Sequence, residues 1–248
     1  MSQISQHILQ RVAEFIAKKG LFFSRESETT GNPFVYVGLS GGPDSVALLH
    51  ILHTLGYKCK ALHCNFHLRG AESDRDQQFC ETLCASLGIP LEVRQFDTLA
   101  YMQEHQLSVE MAARELRYNW WQSLTHGEGL GKVKKSSNGS NGCLTPSIPF
   151  KPLLTPLNPS NPTFIALGHH QDDSIETMLM NLMRGTGIHG MTGIVARNEA
   201  KHVIRPLLCL SRQDIVGYLN DNGLSYVTDS TNAETDTLRN QIRNQLLP

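Results

Sequence analysis

Phe34-Val-Tyr-Val-Gly-Leu-Ser-Gly-Gly-Pro-Asp-Ser45 is the stretch on which the fold turns. Its first six residues are a short apolar run rich in β-formers. Ser40 to Pro43 break it, and helical spacing of apolar residues resumes from Asp44 to Leu55. That is strand, tight turn, helix. The alternation continues outward. Lys58 to Asn65 reads as a strand, Glu72 to Leu87 as a helix and Pro90 to Phe96 as a strand, with helical runs from Thr98 to His105 and Ser108 to His126. Upstream, Ile8, Val12, Phe15 and Ile16 give an amphipathic helix over Ser5 to Lys19. Late in the chain, Thr163 to Leu167 feeds Gly168-His-His170 and a helix from Gln171 to Arg184. Strand and helix in alternation predict an α/β fold: a doubly wound, Rossmann-like parallel sheet with helices on both faces and right-handed crossovers.

Between the two strand-turn-helix units, residues 127–161 are dominated by Gly, Ser, Asn and Pro and read as a flexible insertion. Lys132, Lys134 and Lys135 within it read as a solvated loop rather than a polyanion site. With 248 residues, 40% of them hydrophobic, the chain suits one sizeable domain. Twenty-two Lys and Arg against 23 Asp and Glu leave a net charge of -1, so no global positive field advertises a nucleic acid and any such partner must be gripped locally. Six cysteines without a CxxC pair exclude a disulfide-stapled fold. Neither a signal peptide nor an apolar run long enough to span a membrane is present, so a soluble protein of a reducing, cytoplasmic compartment is expected, with no membrane partner.

The turn Ser40-Gly41-Gly42-Pro43-Asp44-Ser45 should lie beyond the carboxyl end of a strand and at a helix N-terminus, where open parallel sheets bind ligands. Gly41 and Gly42 let a phosphate approach backbone N–H groups closely, and Pro43 suits the first helical position. Ser40 and Ser45 add hydroxyls. Asp44 would repel bare phosphate unless a divalent cation lay between them, which points to Mg2+. The Walker A lysine is absent. A plain glycine turn before a capped helix would look the same.

His169-His-Gln-Asp-Asp173 and Glu176 should open at the same sheet edge. Asp173 and Glu176 lie three apart on a helix, and Asp172 and Glu176 four apart, a spacing that favours a cation. Capping of the helix dipole by Asp172 and Asp173 is the bland alternative. Arg114 and Arg117 lie three apart on one helix and could hold phosphate or stabilise charge in a transition state; pairing with Glu110 in solvent is the competing reading. Met111 and the two tryptophans are expected in the core. His63, Asn65, His67 and Arg69 leave the second strand together, and Arg239 and Arg243 make a basic helical face.

Ser40-Gly-Gly-Pro-Asp-Ser45 resembles the SGGxDS signature of the N-type ATP pyrophosphatases, the PP-loop superfamily with an adenine nucleotide α hydrolase-like fold. The ordered set of further motifs resembles the tRNA(Ile)-lysidine synthetases within it: His63 to Asp74, Ala113 to Tyr118, His169 to Thr177, Asn181 to Gly187, Arg205 to Leu208, Asp229 to Asn232 and Arg239 to Arg243. The resemblance implies a ligase that forms a carbon–nitrogen bond. ATP and Mg2+ would adenylylate the C2 carbonyl oxygen of the wobble cytidine in the CAU anticodon of tRNA(Ile), releasing pyrophosphate, and L-lysine would displace AMP at C2. It places Ser40, Gly41, Gly42, Pro43, Asp44, Ser45 and His63 at ATP, and Asp44 and Asp173 at the metal. Asp44, Arg114, Asp173 and Glu176 would serve catalysis, and Arg69, Arg117, Arg184, Arg205, Arg239 and Arg243 would meet tRNA. Phe66 stands where many members of the family carry histidine. The resemblance also implies an N-terminal catalytic domain over residues 1–248 in a bacterial cytoplasm, without C-terminal tRNA-binding domains, binding ATP yet holding tRNA weakly, and a homodimer is a further expectation. A tRNA thiolase or a nucleotide-binding regulator without turnover are the rival readings.

Overall fold

The computed structural model describes residues 2–22, 34–125, 164–186, 192–228 and 241–242. The expected insertion at 127–161, the Asp229 to Asn232 motif, Arg239 and Arg243 lie outside the described residues. Helix α1 spans Gln3–Lys19, strand β1 Phe34–Gly38, α2 Pro43–Thr54, β2 Lys58–Asn65, α3 Ala71–Leu87 and β3 Leu91–Gln95. Then come α4 at Thr98–His105, α5 at Val109–Thr125, β4 at Phe164–Ala166 and α6 at Gln171–Met183. The described part closes with β5 at Arg197–Asn198, β6 at Val203–Ile204, a 3-10 turn at Pro206–Cys209 and α7 at Arg212–Asp221.

The strands form one sheet in the order β3-β2-β1-β4-β6-β5, parallel except for the β5–β6 hairpin at its edge. The chain winds outward from β1 through β2 to β3, then returns to the other side of β1 with β4. The expected doubly wound α/β fold is what the sheet shows, with an antiparallel edge added. The order reverses between β1 and β4, and the crevice past their carboxyl ends is the switch point where such sheets take ligands.

Alternation along the strands explains why both faces are covered. Val35, Val37, Cys59, Ala61, Phe164 and Ala166 face a core shared with α1, α2, α3 and α7. Tyr36, Leu62 and Ile165 face Trp120 and Trp121 of α5. Helix α2 is apolar around most of its circumference, with Val46, Ala47, Leu48, Leu49, Ile51 and Leu52 all buried, because it is packed on several sides. Each fully buried leucine or isoleucine there contributes about 1.5–3 kcal/mol. The start of α2 is thus fixed by a helix that is buried along most of its length. Met111, expected in the core, is instead 57% exposed; the tryptophans are buried as read. No helix among the described residues is long and apolar enough to cross a membrane.

Candidate active site

The turn after β1 is braced from within. The Ser40 N–H donates to Ser45 Oγ at 3.2 Å, the Ser45 hydroxyl donates to the Gly42 carbonyl at 2.9 Å, and the two hydroxyl oxygens lie 3.2 Å apart. The hydroxyls expected to face an anion therefore also hold the turn's shape. Gly41 has φ +89, a conformation that disfavours any other residue, while Gly42 is the extended N-cap of α2 with φ -72. Pro43 begins the helix as expected, and the N–H groups of the first turn have no partner within the helix. The turn's carbonyls are held from elsewhere: Leu39 accepts from His63 Nδ1 at 2.9 Å, and Gly41 accepts from the Val227 N–H at 2.9 Å.

The turn after β4 packs directly on the first. A Cβ on Gly168 would lie 2.9 Å from both the carbonyl carbon and the carbonyl oxygen of Asp44, so the two switches touch backbone to backbone. His170, fully buried, lies between the acidic residues: its Nε2 is 3.8 Å from Asp44 Oδ1 and 3.5 Å from Asp173 Oδ2. Asp173 also accepts the His170 N–H at 3.0 Å, capping α6. Asp172 Oδ2 lies 3.6 Å from His170 Nδ1 and accepts the Arg212 N–H at 2.8 Å, which ties α6 to the start of α7. The cap of α6 itself is made by Asp173, which also borders the cleft.

That cleft has a volume of about 880 Å³ and is bounded by the Ser40 turn, the exit of β2, α5 and the Gly168 turn. Ser40, Gly42, Asp44, Ser45, His63, Arg69, Arg114, Arg117 and Asp173 all line it. Glu176, only 1% exposed, lies one turn further along α6 and is not on the wall. Arg114 lies over the Tyr118 ring at 5.4 Å, and Arg117 is held over Phe66 and Trp121 at 5.2 and 5.8 Å. Arg69 pairs with Asp76 at 2.8 Å. Arg205 is buried behind the cleft, its Nε on His169 Nδ1 at 3.3 Å and its NH1 on the Val195 carbonyl at 2.8 Å. Burial pushes its pKa down, with Tyr118 opposing and Arg114 adding to the effect. Arg184, exposed, caps the far end of α6, about three turns from the cleft.

Burial lowers the pKa of His63, against its bond to Leu39 and the charges of Asp76 and Glu81, which raise it. A neutral ring with Nδ1–H on a carbonyl is the result, and it buttresses the turn from the cleft wall. Sequence reading gave Gly168, His170 and Val227 no role of their own. The glycine before two histidines at a strand exit was the available signal for the first two. For Val227 there was none.

A magnesium ion is one that the residues of the cleft could hold. No group of three His, Cys, Asp or Glu side chains among the described residues could hold a metal. What the cleft offers is two carboxylates beside a helix N-terminus, and magnesium is commonly held by one or two carboxylates together with substrate phosphates and water. Asp44 and Asp173 are those carboxylates.

A profile of PP-loop domains matches residues 5–133 and 150–248. The chain belongs to the PP-loop domain family. Among curated relatives of this PP-loop chain, the tRNA(Ile)-lysidine synthase of Bacteroides thetaiotaomicron is 46% identical over 241 residues, covering 97% of this chain and 47% of the relative. That of Parabacteroides distasonis is 49% identical over 214 residues, covering 86% and 41%. The PP-loop chain thus spans about half the length of the curated relatives it matches. Among solved structures, the U34-tRNA thiolase NcsA from Methanococcus maripaludis superposes with a TM-score of 0.61 at 15% identity, covering 97% of this chain and 74% of that one. At that identity the likeness is one of fold. A PP-loop domain implies ATP binding, and the cleft at the switch point is where these residues would meet it.

Proposed function

We propose that this chain carries out the ATP-dependent ligation that forms lysidine in tRNA(Ile). The observation that carries the reading is the contact of the two switches: the Ser40 turn and the Gly168 turn meet over one cleft and bring Asp44 and Asp173 to the same nitrogen, Nε2, of His170. The names of the relatives supply the substrate class.

The C2 oxygen of the wobble cytidine attacks the α-phosphorus of ATP, the α–β anhydride breaks, and pyrophosphate leaves. The ring oxygen, a very poor leaving group, is now part of a phosphate ester. The lysine amine adds at C2 and the C–O bond breaks, releasing AMP. Backbone N–H groups of the Ser40 turn and the first turn of α2 hold the departing pyrophosphate. Asp44 and Asp173 would hold Mg2+, which would supply charge neutralisation between phosphate and carboxylate. Arg114, on the facing wall, meets the charge that builds on the phosphoryl oxygens. His63 keeps the turn in shape beside the adenosine. Arg117 and exposed Arg184 remain tRNA contacts in this reading; Arg69 and Arg205 act through their partners inside the fold. Since the substrate is a tRNA, the reaction belongs to the cytoplasm.

The Cys80–Cys84 pair gives the thiolase reading no support. Cys80 and Cys84 are buried on α3 behind the turn, and burial pushes their thiols up to about 12 and 11. Pyrophosphate release from labelled ATP beyond one equivalent per tRNA is expected to require lysine as well as tRNA(Ile), because only the amine discharges the adenylylated tRNA that the first release leaves behind. Asp44→Ala is expected to abolish it while the melting profile is retained. Release that runs on past one equivalent per tRNA without lysine would overturn the proposal.

A further inference from the structure

Residues 224–228, which follow α7, run alongside the Ser40 turn although nearly the whole sheet separates them from it in sequence. Leu224 and Tyr226 pack against the main core, and the Leu224 N–H donates to Leu219 O at 2.9 Å, so the segment is anchored independently of the turn. From that anchorage the Val227 N–H donates to Gly41 O at 2.9 Å. The Val227 side chain, together with Phe79 and Cys80, occupies the floor under Gly41: a Cβ there would lie 3.3 Å from Phe79, 3.5 Å from Cys80 and 3.5 Å from Val227.

In a trans peptide the C=O and the following N–H point in opposite directions, and no described peptide bond is cis. Holding the Gly41 carbonyl toward Val227 therefore turns the Gly42 N–H to the opposite side, where it donates to Ser40 Oγ at 3.4 Å and Gly42 borders the cleft. With φ +89 at Gly41, the residue with the widest backbone freedom, this peptide is also the one most able to flip. A flipped Gly41–Gly42 peptide would present an oxygen where an anion needs a hydrogen. Leu39 O and Gly42 O are held by His63 and Ser45. For Gly41 the anchor is Val227.

We infer that Val227 is a positioning residue for the anion-binding turn: its backbone N–H locks the Gly41–Gly42 peptide in the orientation that offers the Gly42 N–H to a phosphate. The inference rests on the turn holding the pyrophosphate part of ATP. It concerns the backbone, so the side chain is the control.

The test compares Val227→Ala, which keeps the N–H, with Val227→Pro and with an amide-to-ester replacement at Val227, which remove it. Each chain is titrated calorimetrically with magnesium pyrophosphate and, separately, with AMP. Val227→Ala is expected to bind both within about twofold of the parent. The two variants without the N–H are expected to lose roughly tenfold in pyrophosphate affinity, a factor that corresponds to about 1.4 kcal/mol, with AMP affinity unchanged. If Val227→Pro does not fold, the ester variant decides, since it keeps the shape of the segment. Pyrophosphate affinity unchanged in the ester variant, or lost in equal measure with AMP affinity, would overturn the inference. A parent chain that takes up no pyrophosphate would overturn the assignment of the turn itself, and this inference with it.

Discussion

Gly168 shows how much a missing side chain can decide. The two switches can meet only because nothing projects from it: an alanine there would press on the Asp44 carbonyl at a distance that real Cβ atoms do not tolerate, and the obstacle is backbone, which cannot swing aside. Gly168→Ala is expected to destabilise the chain by about 1–3 kcal/mol, as overpacking generally does, and to weaken nucleotide binding more than the loss of stability explains. Thermal melts with calorimetric ATP titrations check both parts. Gly41 and Gly42 were legible from the sequence because glycines between a strand and a helix announce a tight turn at a helix N-terminus. Gly168 stands at the same kind of place, but its reason is a neighbour far away in the chain, which no local spacing encodes. The same limit hid His170, whose partners Asp44 and Asp173 come from both switches.

At the level of elements, α7 is set by its first turn. Ser211 accepts the Asp214 N–H at 3.1 Å and Asp214 returns the bond by accepting the Ser211 N–H at 2.9 Å. Arg11 of α1 adds a pair to the same carboxylate at 3.0 Å. Burial alone would raise the Asp214 pKa, but the bonds from Ser211 and the charge of Arg11 outweigh it and leave it lowered. A carboxyl with a lowered folded pKa contributes stability that is present above the ordinary value of 3.8 and is lost as the pH falls through the folded value. Ser211→Ala is expected to cost about 1 kcal/mol. Asp214→Asn should lower the urea midpoint at neutral pH, and its gap to the parent should close once the pH is taken below 3.8. Helix α7 and the hairpin of β5 and β6 were not read from the sequence. Each of those strands is two residues long and carries no periodicity to detect. The long elements, by contrast, were found to within a residue or two, because α2 and β2 bury nearly every apolar position that their patterns mark.

For the molecule as a whole, two histidines give the pH dependence of folding. Burial lowers the pKa of His50, with His53 adding to the effect, and burial lowers that of His63. His50 Nδ1 lies 2.8 Å from the Tyr218 hydroxyl, joining α2 to α7, and His63 holds the Leu39 carbonyl. The unfolded chain binds protons at these sites more readily than the folded one, so their contribution is whole above about 6.5 and is lost as the pH falls through the folded values. Urea denaturation between pH 7.5 and 5 (roughly the span over which free imidazoles charge) is expected to show falling stability, with a shallower slope in His63→Gln. An unchanged slope would mean that His63 is not held neutral. At this scale the reading of the sequence went furthest, since alternating strand and helix fix a parallel sheet and the sheet fixes where a ligand can sit. The distances across the cleft did not follow, because they depend on side chains that meet only after the sheet has formed.

The pairing of β1 with β4 also bears on how the molecule is built over time. Val35, Tyr36 and Val37 are hydrogen-bonded to a strand that the chain reaches only after β2, β3 and all of α5. Contacts between such remote segments raise the contact order and form slowly, because the entropy of closing the large loop is lost before the strand pair offsets it. A chain emerging from synthesis can complete the outward winding early, but the Ser40 and Gly168 turns come together only when β4 arrives, so the cleft between them is completed late in folding.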